Sequence, residues 1–287
     1  MITAIKSKFT DALMACGVKP LILSCQESSF IATRFYLNVR KISSKYKYSI
    51  VFPGVKNKLS KKTIYKRMYL PNSFDINNFN PLPFQQKKFL TMVIAAKGIK
   101  SRIKKILLPL FYGLSVRETS GKRRQAIKYF SNTKDFDLYG FGWEKTNYKD
   151  LTQEEINKVF RGAIDYDKKI DTVRQYKFSI CFENSIFPGN TTEKIFDCFF
   201  AGSIPIYLGD PNITECIPSN CFIDFKKFKD FKELENYLKN MDEAQYSEYI
   251  ENIRNFLNSD KYYKFSEKFY TNQIWEIIKE EYNYAKA

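Results

Sequence analysis

Short apolar runs that stop abruptly at polar, proline or glycine residues organise the first part of the chain. Two of them, KPLILSCQES from Lys19 and YKYSIVFPG from Tyr46, predict buried strands with a helix between them. A stretch rich in Asn and Pro at about 72 to 87 predicts a connecting loop, after which KFLTMVIAAKG resumes a strand. From Thr91 onward the pattern alternates. GKRRQAIKYF reads as helix, FDLYGFGW as extended, VRQYKFSICFEN as a helix end entering a strand, TEKIFDCFFAG as helix and SIPIYLGD as strand. That order predicts an α/β fold, a parallel sheet with crossover helices. In the tail, FKELENYLKNM, EYIENIRNFLN and NQIWEIIKEEYNYA space apolar residues by three and four, as amphipathic helices do.

One segment breaks the alternation. Between Lys97 and Arg124, KGIKSRIKKILLPLFYGLSVRETSGKRR joins basic residues to an apolar stretch from Ile106 to Leu114. Two readings stand side by side. It is a loop whose apolar part packs on the protein, or it lies on a membrane surface with Lys and Arg at anionic headgroups and the Leu and Phe side in the interface.

Composition narrows the chemistry. With 44% hydrophobic and 17% aromatic residues the chain can fill proper cores. The net charge of +16, from 47 Lys and Arg against 31 Asp and Glu, favours anionic partners. The lysines are dispersed and no recognition module accompanies them, so nucleic acid is not expected. There is no histidine, which removes the usual zinc sites and any Ser-His or Cys-His pair. Six cysteines without a C-x-x-C pair fit reduced thiols, and neither a signal peptide nor an apolar span of membrane length is legible, so a cytoplasmic location is expected, peripheral at the inner membrane face if the second reading of the odd segment holds.

The most informative run is Tyr176 to Asp210, YKFSICFENSIFPGNTTEKIFDCFFAGSIPIYLGD. A buried strand delivers Glu183 and Asn184 to its carboxyl end, a Pro-Gly loop follows, and a helix opens at Asn190-Thr191-Thr192-Glu193-Lys194. Ligands of open parallel sheets bind beyond the strand carboxyl ends, and a helix amino terminus there suits a diphosphate, with Lys194 adding a full charge. Asn190 as helix cap and Glu193 as the third residue of a capping box are the bland alternative.

The same run resembles the donor-binding signature of glycosyltransferase family 10, the α-1,3/4-fucosyltransferases, in the order Phe-Glu-Asn-Ser, Thr-Glu-Lys and Ala-Gly-x-x-Pro-x-x-x-Gly. The similarity extends upstream through RGAIDYDKKIDTVRQYKF and DLYGFGW, more weakly through GKRRQAIKYF and IYKRMYLPNSF, and reaches LSCQESSF, which is similar to the family's Glu-Ser-Pro loop. The resemblance implies two Rossmann-like domains facing across a cleft (GT-B): an apparently shortened acceptor-side domain at 1–85, a donor domain at 86–265 and a carboxyl-terminal helix at 266–287. It implies an inverting reaction with GDP-fucose or a related GDP-deoxysugar as donor, no obligatory metal or cofactor, and a glycan or lipid-linked oligosaccharide such as an O-antigen sugar as acceptor. Carried over residue by residue, Lys194 and Arg124 would bind the diphosphate, and Asn184, Asn190 and Glu193 would serve the donor. Glu27 would be the general base, with Glu183 as runner-up or as an orienting group. Asn190 stands where the family carries Tyr, and no counterpart is legible for the strand that precedes the Glu-Ser-Pro loop in relatives. A transferase of the same fold using another nucleotide-hexose, and a non-catalytic nucleotide or nucleic-acid binding protein, are the competing readings.

Overall fold

The structure, a computed structural model, describes residues 2–3, 15–17, 20–96, 102–146 and 148–286. Two parallel sheets carry the fold. The first has the order β1-β2-β3-β4, built from Ile2–Thr3, Ile22–Ser24, Tyr48–Val51 and Ile64–Arg67. Helices α1 (Thr33–Leu37) and α2 (Val39–Ser43) form the crossover from β2 to β3. A strand therefore does precede the Ser24–Phe30 loop: β1 pairs with β2 through Ile2 and Ile22. Two residues cannot display a period, which is why the sequence hides it.

After β5 (Lys88–Val93) comes α3 (Arg102–Tyr112), where a loop was one of the two expectations. Lys97 to Ser101 lie outside the described residues. Gly113, at φ 110°, ends α3 in a conformation that disfavours a side chain, and its N–H donates to the Pro109 carbonyl at 2.7 Å. The chain continues through β6 (Arg117–Glu118), α4 (Ser120–Phe130), β7 (Phe136–Tyr139), α5 (Gln153–Val159), α6 (Lys169–Arg174) and β8 (Tyr176–Ile180). Then follow β9 (Ser185–Ile186), α7 (Glu193–Phe200), β10 (Ile204–Tyr207) and β11 (Ile223–Asp224). The second sheet has the order β11-β10-β8-β5-β7, so β8 is central. All four residues of β10 are buried, as expected of a parallel strand covered on both faces.

Helices α8 (Phe231–Lys239), α9 (Glu243–Leu257) and α10 (Asp260–Tyr263) close the second unit, and Asp230, Asp242 and Ser259 cap them. The last helix, α11 (Glu267–Lys286), returns to the first unit. Its Ile277 is 1% exposed in the first core, and the Tyr48 hydroxyl donates to Glu281 at 2.9 Å and to Glu280 at 3.2 Å. That core also takes Leu108 from α3 and Phe187 from the loop before α7. Leu108, Phe187 and Ile277 come from three segments beyond residue 85, so the core of the first unit is not contiguous in sequence.

Candidate functional site

Beyond β8 the chain runs beside β10, with Glu183 N–H donating to the Leu208 carbonyl at 2.8 Å, and this places the Glu183 side chain under the start of α7. The carboxylate has no exposed surface. It accepts the Thr192 N–H at 2.7 Å, the Thr192 hydroxyl at 2.6 Å and Lys194 Nζ at 3.2 Å. Helix α7 thus starts at Glu193, with Thr192 in extended conformation as its N-cap, rather than at Asn190. Glu193 is accordingly the first helical residue, and the capping-box geometry expected from Asn190 and Glu193 does not form. A buried carboxylate has taken the end of the helix, where it meets both an orphan N–H and the positive pole of the dipole.

Charges converge on this turn. Lys194 Nζ also donates to Thr192 Oγ1 at 2.8 Å and to Glu193 Oε1 at 3.2 Å. Burial pulls the Lys194 ammonium down, but Glu183 and Glu193 outweigh it and hold its pKa above the usual lysine value. Burial raises the Glu183 pKa, and Lys194 only partly offsets it. For Glu193 burial is outweighed by Lys194 and Lys169, and its pKa falls. Asn190 is fully buried: its amide nitrogen reaches Ser185 Oγ at 3.4 Å and its Oδ1 has no partner. Thr191 Oγ1 donates to Asp210 at 3.3 Å. Gly209 is required beside them, because a Cβ there would come within 2.4 Å of Glu183 Cγ.

The arginine that joins the cluster is Arg123. Its Nη2 donates to the Phe182 carbonyl at 2.6 Å and to Asn184 Oδ1 at 3.0 Å, while its Nε is buried without a partner. Burial lowers its pKa to about 10, so it stays cationic at neutral pH, and it is close enough to Lys194 for the two charges to repel. Arg124 lies off this cluster, bound to Asp150 at 2.7 Å with its guanidinium 4.9 Å from the Tyr148 ring centre. The periodicity could have separated them: Arg123, Ala126, Ile127 and Phe130 share the buried face of α4 at three-and-four spacing, and Arg124 falls outside it. Thr119 ties α4 to the site, its N–H donating to the Asn184 carbonyl at 3.2 Å and its hydroxyl to the Glu183 carbonyl.

Glu27 is exposed on the loop after β2, and its carbonyl accepts the Tyr36 hydroxyl at 2.8 Å. Two residues on, Ser29 Oγ donates to Ser185 Oγ at 3.5 Å, which sets this loop against β9 and the turn that carries Asn184. Among the described residues no group of three or more Cys, Asp or Glu is arranged to hold a metal ion.

The family model for the carboxyl-terminal part of glycosyltransferase family 10 (fucosyltransferase) matches residues 105–282, more than half of the chain. This chain belongs to glycosyltransferase family 10. Over 121 residues it is 32% identical to human GDP-fucose protein O-fucosyltransferase 3, covering 42% of this chain and 24% of that protein. The protein of the same name from Gallus gallus is 31% identical over 122 residues, with the same 42% and 24% covered. The chain thus matches about a quarter of the length of these curated relatives. A solved sucrose-phosphate synthase from Thermosynechococcus elongatus superposes with a TM-score of 0.59 over 96% of this chain and 71% of that one, at 11% identity. That likeness carries the fold, two Rossmann-like units in the GT-B arrangement. The clustered residues Arg123, Glu183, Asn184, Asn190, Glu193 and Lys194 all fall inside the matched span, and Glu27 falls before it. The contacts of Phe187, Gly189 and Gly54, which hold the loop before α7, were not legible in the sequence. Gly54 N–H donates to the Pro188 carbonyl at 3.0 Å, and a Cβ on Gly189 would stand 2.1 Å from Pro53 Cδ, so the first unit grips the loop before α7 through close backbone contact.

Proposed function

We propose that this chain moves L-fucose from GDP-fucose to a hydroxyl of a glycan acceptor with inversion at the anomeric carbon, in the manner of an α-1,3-fucosyltransferase. The observation that carries this is the buried Arg123, whose Nε lacks a partner, beside Lys194 at the turn into α7, within the span that the family model matches. A buried unpaired donor is costly, and a phosphate oxygen would satisfy it. Because Glu183 already occupies the Thr192 N–H, the diphosphate charge falls mainly to Arg123 and Lys194 rather than to a bare helix end. As the bond to the GDP oxygen breaks, negative charge grows on that oxygen, and two fixed cations stabilise it. Glu27, on the first-unit loop, takes the proton of the attacking hydroxyl. Asn184 and Asn190 hold donor hydroxyls, and Glu183 orients Lys194.

The name of the curated relatives favours a second acceptor class, a protein hydroxyl. Thermal-shift measurement with GDP, UDP, CDP and their sugars tests the donor, and stabilisation by UDP but not GDP contradicts it. Fucose transfer from GDP-fucose to a panel of oligosaccharides and folded protein domains then separates the acceptors. Glu27→Gln is expected to depress transfer by about 10²-fold or more while sparing the GDP-induced shift, and near-full rate would assign the base elsewhere.

A further inference from the structure

We propose that the outer face of α3, together with the cationic groove beside it, seats this chain on an anionic lipid bilayer. The inner side of α3 is spoken for: Leu108 is fully buried in the first core and the Tyr112 hydroxyl donates to the Tyr36 carbonyl at 2.8 Å. Its outer side carries five exposed apolar side chains at helical spacing, Ile106 at 59%, Leu107 at 41%, Leu110 at 71%, Phe111 at 37% and, just past the Gly113 turn, Leu114 at 84%. An aliphatic ridge of this kind on a folded surface marks a contact with an apolar phase.

Charge complementarity names the phase. Phe111 lines a groove of about 1050 Å³ on the first unit, whose lining includes Arg40, Lys41, Lys56, Lys58 and Lys61 and no carboxylate. No ion pair engages these five cations among the described residues. Lys58 Nζ sits 4.8 Å from the Phe111 ring centre, so cations and ridge adjoin. Headgroup phosphates for the groove and acyl chains for the ridge are what an interfacial helix with flanking Lys and Arg meets at a bilayer, whereas an acidic protein surface supplies anionic carboxylates for the groove and no acyl phase for the ridge. Position gives the contact a use. From Leu114 to Glu118 of β6 is four residues, at most about 14 Å of chain, and β6 pairs with β9 at the donor-side turn. Docking through the ridge therefore holds the cleft near the membrane surface.

Flotation of the whole chain with vesicles of phosphatidylcholine, alone or mixed with phosphatidylglycerol, tests this without nucleotide or acceptor, so its failure leaves the transferase reading standing. Binding to the mixed vesicles and not to the neutral ones is expected. Leu110→Ser with Leu114→Ser, which leaves the net charge of +16 unchanged, is expected to reduce binding roughly tenfold or more. Lys58→Glu with Lys61→Glu is expected to do the same, whereas Lys226→Glu with Lys227→Glu, an equal charge change on an exposed turn of the second unit, is not. Circular dichroism and melting of each variant confirm the fold. No binding, equal binding to both vesicles, undiminished binding of the serine pair, or equal loss in the two glutamate pairs overturns the proposal. So does a shift of the lipid-free protein from oligomer to monomer in the serine pair, which would make the ridge a contact between copies.

Discussion

The Arg123 guanidinium donates through one nitrogen to two acceptors and keeps Nε unpaired inside the protein, whereas Arg124 spends its charge on a half-exposed carboxylate. Their substitutions should therefore separate cleanly. Arg123→Ala is expected to lower fucose transfer by about 10²- to 10³-fold, the usual consequence of removing one donor aimed at developing charge. Arg123→Lys should recover only part of this, since a single ammonium cannot replace the planar fork. Arg124→Ala should leave the rate within a few-fold and cost less than about 1 kcal/mol of stability, the scale of a surface ion pair. Steady-state kinetics and denaturant melts of the three variants check this, and a large rate loss in Arg124→Ala alone would move the phosphate site. At this scale the sequence was legible first in residue type: Lys-Arg-Arg shows that a cation is present, and the three-and-four spacing of Arg123 with Ala126, Ile127 and Phe130 is the signal that selects between neighbours.

At the scale of the element, α7 has a charged group at each pole. Glu183 and Lys194 meet its amino end, and Lys87 meets its carboxyl end, donating to the Gly202 carbonyl at 2.7 Å and to the Arg174 carbonyl at 2.9 Å. A cation there suits the negative pole, and the Gly202 carbonyl, two residues past the helix, also accepts the Tyr246 hydroxyl at 3.1 Å. Lys87 is 6% exposed, and burial, aided by Arg174, pulls its pKa from 10.5 to about 7. The sign follows directly. Between about pH 7 and 10.5 the unfolded chain holds the Lys87 proton and the folded chain has released it, so this group's contribution to stability rises with pH across that window. Above pH 7 the neutral amine still has two donors for its two shorter contacts. Relative to Lys87→Met, the parent protein should gain on the order of 1 kcal/mol per pH unit at most between pH 7 and 9, measured by urea unfolding. A flat difference across that range contradicts it. Lys194 at the amino pole was legible in the sequence, but the service of Glu183 and Lys87 to the two poles was not, because they are ten and more than a hundred residues from the ends they meet.

At the scale of the whole molecule, the two units share side chains as well as facing surfaces. Phe187, from the loop before α7, is fully buried in the first core, edge-on to Tyr36 at 5.3 Å and to Tyr112 at 5.2 Å between ring centres. Removing it opens a cavity in one unit and frees the loop of the other. Phe187→Ala is expected to cost about 3–5 kcal/mol of stability and, in the molecules that remain folded, to raise KM for GDP-fucose more than it lowers kcat, since Asn184 and Asn190 flank the freed loop. Thermal denaturation with kinetics below the transition checks both. An unchanged KM would mean that Gly54 and Pro53 hold the loop by themselves.

The amino-acid sequence by itself determined the class of fold, the order of α4, β7, α6, β8, α7 and β10, and the run on which the buried charges converge, because apolar period and the Phe-Glu-Asn to Thr-Glu-Lys run are local properties that no partner has to complete. Only the tertiary structure decided that Glu183 rather than Asn190 takes the end of α7, that α3 is a helix with one face left bare, and that α11 and Phe187 finish the first core. Each of those depends on burial between segments far apart in the chain, and burial is a property of the folded surface that neither spacing nor composition contains.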